Sequence, residues 1–228
     1  FMPEKEGDAL YLAACAACKE LPKLPIVEIG TYCGRSTVWL GAAARKYHAK
    51  VFAIDHHFGS EENQHGWEWF DESLLDIATN KLNTLPSLLA TLRKTRLCDV
   101  VIPVVGESKV ISSQWSTKIA FCFIDGGHGD EPTRSDYLSW APKIEVKGLL
   151  AIHDVFEDPK DGGQAPYKHI YKAALDSGEF VEMLRRVVQL SRAGTAAANA
   201  DPAARATLAP AHARPADPAP SPLQFRAF

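Results

Sequence analysis

Five short apolar runs, separated by stretches with helical spacing, constrain this chain more than any other feature. They occupy residues 26–29, 51–54, 100–105, 120–124 and 149–152, and each is bounded by Gly, Pro, Asp or a charged residue. Runs so nearly continuous in hydrophobicity read as strands buried on both faces, the pattern of a parallel sheet. Helix-like spacing lies between them, near 36–48, 80–97, 108–115, 134–142 and 166–177, with an Ala-rich helical stretch at 8–20. The alternation predicts an α/β fold: an open, doubly wound, mostly parallel sheet in a single domain. In such sheets ligands bind beyond the carboxyl ends of the strands, which singles out the residues that follow each run.

Several classes of function are disfavoured at once. Lys and Arg total 25 against 28 Asp and Glu, a formal net charge of -3. That balance lacks the basic footprint of a nucleic-acid or anionic-membrane binder. No apolar run approaches the roughly 18 residues that span a bilayer. No secretory signal is visible, although a first residue of Phe1 leaves open a leader that has been removed. Five scattered cysteines, an odd number, point to a reduced, cytoplasmic protein. Cys15 and Cys18 form a C-x-x-C, but within a helical Ala-rich pattern they read as small core residues.

Two segments break the strand–helix rhythm. Residues 56–79 form a polar and aromatic stretch longer than a usual connection, with the character of a lid or a partner surface. Residues 193–228 are almost entirely Ala, Pro and small polar residues. They bury too little surface to offset their ordering entropy, so the expected division is a domain at 1–192 and a disordered tail at 193–228.

The strongest chemical signal is Glu28-Ile29-Gly30-Thr31-Tyr32-Cys33-Gly34-Arg35-Ser36-Thr37, which leaves the first strand and enters the first crossover helix. Gly30 can take angles other residues avoid, and Gly34 lets a ligand approach the helix start. The spacing is neither the G-x-G-x-x-G pyrophosphate cradle nor a phosphate loop ending in G-K-[ST]. Asp55 closes the second strand, where an acid suits a hold on both ribose hydroxyls. Gly106-Glu107-Ser108 follows the third strand and would lie beside the base of a nucleoside.

This series, together with Phe123-Ile124-Asp125-Gly126-Gly127-His128, resembles the class I S-adenosylmethionine-dependent methyltransferases. More narrowly it resembles small-molecule O-methyltransferases of the catechol, caffeoyl-coenzyme-A and macrolide-sugar type, over residues 8–192. The resemblance implies a Rossmann-like sheet and S-adenosylmethionine as cofactor. It places the methionine part at Glu28, Gly30, Tyr32, Gly34 and Ser36, the ribose at Asp55 and His56, and adenine at Gly106, Glu107 and Ser108.

Asp125 and His128 follow the fourth strand, and His153 and Asp154 follow the fifth. Adjacent parallel strands lie roughly 4.8 Å apart, so groups at their tips can converge on one divalent cation. Such an ion, Mg or Mn, would lower the acceptor oxygen's pKa, and a base would take its proton. By the resemblance, Asp125, His153 and Asp154 are the metal ligands, with Asp125 and His128 catalytic and His128 the base. His153 stands where that pattern favours an oxygen donor, so it is either a ligand to a softer metal or a residue behind the carboxylates.

His56, His57, Trp67 and Trp69 are candidates to close over the cofactor or stack on the acceptor, whereas Tyr137 and Trp140 read as core. The expected activity is methyl transfer to a hydroxyl of a small molecule, with neither nucleic acid nor membrane as partner and a homodimer left open. Three alternatives remain at this point: a nicotinamide-dependent oxidoreductase, a metal-dependent hydroxylase or hydrolase, and a non-catalytic nucleoside-binding module.

Overall fold

In the computed structural model the first apolar run becomes β1 (Ile26–Ile29), every residue of which is buried. The structure describes residues 2–67, 69–185 and 188–192, so the expected tail at 193–228 lies outside the described residues. Ahead of β1 runs α1 (Glu4–Glu20), with Cys15 and Cys18 buried on its inner face as small core residues. After it come α2 (Arg35–Lys46) and β2 (Val51–Asp55). A minimal hairpin, β3 (Leu75–Asp76) with β4 (Lys81–Leu82), leads to α3 (Leu85–Lys94) and β5 (Val101–Val105). The second half is α4 (Ser108–Ser113), β6 (Ile119–Ile124), α5 (Asp130–Trp140) and β7 (Ile144–Ile152). A π-helical turn at Tyr167–Lys172 continues into α6 (Ala173–Asp176), and the described chain ends in β8 (Phe180–Arg185) and β9 (Val188–Arg192).

The sheet has seven strands in the order β5-β2-β1-β6-β7-β9-β8. The first five in that order are parallel, and β9 and β8 complete the edge in antiparallel pairing. Continuous hydrophobicity in the strands follows from burial of both faces. Ile26, Phe121 and Phe123 join the core under α1, α2 and α3, while Val27, Cys122 and Ile124 join the core under α4, α5 and α6. Tyr137 and Trp140 belong to the second core. No helix among the described residues is long and apolar enough to cross a membrane.

Three expectations need correction. The helix expected at 80–97 starts only at Leu85, because Asn80 is left-handed (φ 51°) and Lys81–Leu82 pairs with β3. Helix α5 begins at Asp130, four residues before its expected start, with Asp130 and Glu131 in a first turn where acids favour the helix dipole. β8 and β9 were not anticipated, and they make the sheet's far edge antiparallel.

The chain runs outward from β1 through β2 to β5, then returns to place β6 against the other side of β1. That reversal puts the loops after β1 and β6 side by side, where open α/β sheets form their crevice.

Candidate functional site

A cleft of about 750 Å³ opens at this reversal, within the 300–1,000 Å³ typical of small-molecule sites. Its floor is the loop after β1. Gly30 has φ 82°, and a Cβ there would lie 2.1 Å from the carbonyl oxygen of Asp125. The Asp125 N–H in turn donates to the Ile29 carbonyl at 2.8 Å, so the two strand tips are joined by backbone alone. Thr31, Tyr32 and Ser36 continue the wall, and the buried Thr31 hydroxyl has no partner among the described residues.

Asp55 fixes this loop from β2. One carboxylate oxygen accepts from the N–H groups of Thr31 (3.0 Å) and Tyr32 (2.8 Å), and the other accepts from His57 N–H at 2.7 Å. Three of roughly four acceptor positions are therefore occupied, leaving about one open toward the cleft. Gly106, Glu107 and Ser108 line the cleft past β5, with His56 beside them on the wall. A buried acid that the motifs did not flag, Asp136 of α5, also faces the cleft. Burial pushes its carboxyl up to about 6.

Two expected cofactor residues sit behind the wall. Glu28 is wholly buried and does not line the cleft; it accepts a 2.6 Å hydrogen bond from the Thr37 hydroxyl, and burial pushes its carboxyl up to about 8. Gly34 is the left-handed residue before α2 (φ 87°), where a Cβ would meet Leu88 of α3 at 2.7 Å. A side chain there would crowd α3, and Gly34 does not line the cleft. His57 is also structural, buried with Nδ1 2.7 Å from the Thr84 hydroxyl. Trp69 lines the cleft, whereas Trp67 is 54% exposed and does not.

The tips of β6 and β7 carry the charged constellation. Asp125, His128 and Asp154 each offer a donor atom, and these atoms lie within 4.8 Å of one another. The two carboxylates at that separation fit Mg or Mn, while an imidazole as a ligand would favour a softer ion. His153 stands deeper: its Nδ1 is 3.1 Å from one oxygen of Asp125 and 3.1 Å from one of Asp154, off the direction of a good hydrogen bond, and its Nε2 is 3.3 Å from Glu6 of α1. His153 thus sits behind the two carboxylates, the second of the two positions expected for it, while His128 is the imidazole grouped with them.

Charge is tightly coupled here. Hydrogen bonds to Asp154 (Nε2, 3.2 Å) and Glu62 (Nδ1, 2.8 Å) push His128 up to about 10. Burial pulls His153 down, but Asp125 and Asp154 outweigh it and hold this imidazole at about 10 as well. For Asp154, burial raises the carboxyl and the two imidazoles more than reverse that, keeping it ionised. Glu62, Glu6 and Asp136 were missed at the level of sequence. Only Asp136 left a signal, as an acid one helical turn before the core residue Trp140.

A parallel sheet with this reversal, a glycine loop after its first strand, an acid closing its second and one shared cleft defines a class I S-adenosylmethionine-dependent methyltransferase. The chain belongs to the methyltransferase domain family, whose model matches residues 27–155. Membership sets aside the nicotinamide, metal-only and non-catalytic alternatives. Among solved structures, the O-methyltransferase NovP is 18% identical with a TM-score of 0.62, over 83% of this chain and 80% of its own. The TDP-rhamnose 3'-O-methyltransferase CalS11, an enzyme of calicheamicin biosynthesis, is 17% identical with a TM-score of 0.57, covering 82% and 77%. TomG of Streptomyces achromogenes, an O-methyltransferase of tomaymycin synthesis solved with S-adenosylmethionine, is 14% identical with a TM-score of 0.55, covering 85% and 82%. At such identities the likeness is one of fold.

Proposed function

We propose that this protein transfers the methyl group of S-adenosylmethionine to a hydroxyl of a small molecule, with a divalent cation held by Asp125 and Asp154. The observation that carries the reading is the convergence of Asp125, His128 and Asp154 beside the glycine loop, in one cleft. The likeness to NovP, CalS11 and TomG, all O-methyltransferases, supports an oxygen acceptor. The formal charge of -3 and the acidic cleft favour a small acceptor over a nucleic acid.

Gly30, Thr31, Tyr32 and Ser36 border the methionine part of the cofactor in this reading. Asp55 and His56 border the ribose, and Gly106, Glu107 and Ser108 the base. Glu28 and Gly34 act indirectly, by holding the start of α2. A cation bound at Asp125 and Asp154 supplies Lewis acidity to the acceptor oxygen. His128 takes the acceptor's proton at Nε2 as the oxygen displaces S-adenosylhomocysteine from the methyl carbon. His153 keeps the two carboxylates aimed forward, and residues 1–192 form the catalytic unit.

The test is transfer of labelled methyl from S-adenosylmethionine to a panel of sugars and phenols, with Mg²⁺, Mn²⁺ or EDTA present. Cation-dependent transfer that falls roughly 10²–10⁴-fold in His128→Ala is the expected result. Transfer indifferent to EDTA would refute the cation, and failure to bind S-adenosylhomocysteine would refute the cofactor site. Removal of 193–228 should leave melting and transfer unchanged.

A further inference from the structure

Glu62 comes from the long segment after β2, in the 3₁₀ turn Glu61–Asn63, and it reaches across 66 residues of sequence to His128. Its Oε1 lies 2.8 Å from His128 Nδ1. The turn that carries it is internally fixed. Ser60 donates through its backbone N–H (3.0 Å) and its hydroxyl (2.8 Å) to the Asn63 side chain, and its hydroxyl also reaches Glu62 Oε1 at 3.1 Å. Trp69 N–H donates to the Glu62 carbonyl at 3.2 Å, joining the turn to the aromatic wall of the cleft.

A histidine has two ring nitrogens, and the bond made by one decides what the other can do. His128 has a carboxylate at each nitrogen, Glu62 at Nδ1 (2.8 Å) and Asp154 at Nε2 (3.2 Å); once a cation takes up Asp154, Nδ1–H stays committed to Glu62 and a neutral His128 carries its lone pair on Nε2. We propose that Glu62 is a positioning residue for His128, selecting the Nδ1–H tautomer and aiming Nε2 at the acceptor, so that the reactive site is complete only when the 61–63 turn is docked. The proposal rests on His128 being the base and adds what makes it one. The acceptor O–H bond breaks, its proton passes to Nε2, and the Glu62 carboxylate stabilises the resulting imidazolium through Nδ1–H.

His153 shows the same device, with Glu6 of α1 at its Nε2. Each imidazole of the site thus has an acid supplied from outside the two strand tips.

The experiment uses the full chain with Mg²⁺ and S-adenosylhomocysteine bound, and reads the His128 tautomer from ring ¹⁵N shifts. The wild type should show a single Nδ1–H form, and Glu62→Ala a mixture of both tautomers. In turnover, Glu62→Ala should lose about 10–100-fold in kcat, as loss of such supporting groups does, with the acceptor KM and S-adenosylhomocysteine affinity within a few-fold. Glu62→Gln, whose amide oxygen can still accept from Nδ1–H, should recover the tautomer and part of the rate; it also serves as the test variant if Glu62→Ala does not fold. A single tautomer with undiminished kcat in either variant overturns the proposal. If His128→Ala retains its rate the base assignment itself falls, whereas an inactive His128→Ala beside a fully active Glu62→Ala sinks only the role of Glu62.

Discussion

The carboxyl of Glu28 and the hydroxyl of Thr37 meet at 2.6 Å with neither side chain exposed to solvent, clamping β1 to the first turn of α2. Burial pushes the Glu28 carboxyl up to about 8, with hydrogen bonds from Ser36 and Thr37 opposing it and the charges of Asp125 and Asp55 adding to it. The folded state thus holds a proton that the unfolded chain releases near its ordinary 4.5. Stability is lost as pH rises from about 4.5 to about 8 and levels off above that. Glu28→Gln removes this slope. Calorimetric melting should show variant and wild type alike at pH 5, and the variant higher by several degrees at pH 8. Parallel curves across the range would mean that Glu28 is already ionised in the fold.

Asp55 holds the loop after β1, and in the proposed reading also the ribose; two substitutions separate these tasks. Asp55→Ala leaves the N–H groups of Thr31, Tyr32 and His57 without their acceptor, so it should lower stability by roughly 1–3 kcal/mol and weaken S-adenosylhomocysteine binding by at least tenfold. Asp55→Asn keeps one acceptor oxygen and should fall between the two. Urea unfolding and calorimetric binding measure these effects. Unchanged binding in Asp55→Ala would remove this residue from the cofactor site.

At pH 7.5 the cation-free site holds His128 as an imidazolium, since Asp154 and Glu62 raise it to about 10. A cation at Asp125 and Asp154 takes over the carboxylates that favour that proton, so Mg²⁺ or Mn²⁺ binding should release at least one proton. The apparent cation affinity should accordingly rise with pH up to about 10. Calorimetric titrations in two buffers of different ionisation heat count the protons, and His128→Ala should reduce the count by about one. Release equal in variant and wild type would assign the proton to His153.

Gly30 and Gly34 both have positive φ, yet their substitutions should differ. Alanine at 30 drives its Cβ into the Asp125 backbone, which cannot swing aside, and should cost about 2–4 kcal/mol together with cation binding. Alanine at 34 crowds chiefly the flexible tip of Leu88, with Thr91 at 3.4 Å, and should cost about 1–2 kcal/mol, mostly from its backbone angle. Denaturant unfolding ranks the two; equal losses would show that the Asp125 contact yields easily.

What could be read from the sequence follows from the range of the interactions involved. The parallel strands were visible because two-sided burial leaves an unbroken apolar run, as in Ile119–Ile124. β8 left no such mark: Phe180, Val181, Glu182 and Met183 carry mixed polarity, and the edge pairing comes from a strand later in the chain. The glycine loop, Asp55, Asp125 and Asp154 follow strand ends, where topology alone brings them to one edge. That His153 lies deeper than His128 was not legible, because it depends on how the side chains pack behind the strand tips. Glu62 was hidden for a similar reason, as its partner is distant in sequence and its neighbours Glu61 and Asn63 are ordinary loop residues.

The backbone contact between Gly30 and Asp125 limits how this enzyme can be re-engineered. The loops after β1 and β6, which the proposed reading assigns to the methyl donor and the acceptor, are joined through backbone, so grafting a relative's 124–128 segment should disturb donor affinity along with acceptor choice. New acceptor specificity is better sought at Trp69, Phe156 and Asp161, which line the cleft from other segments.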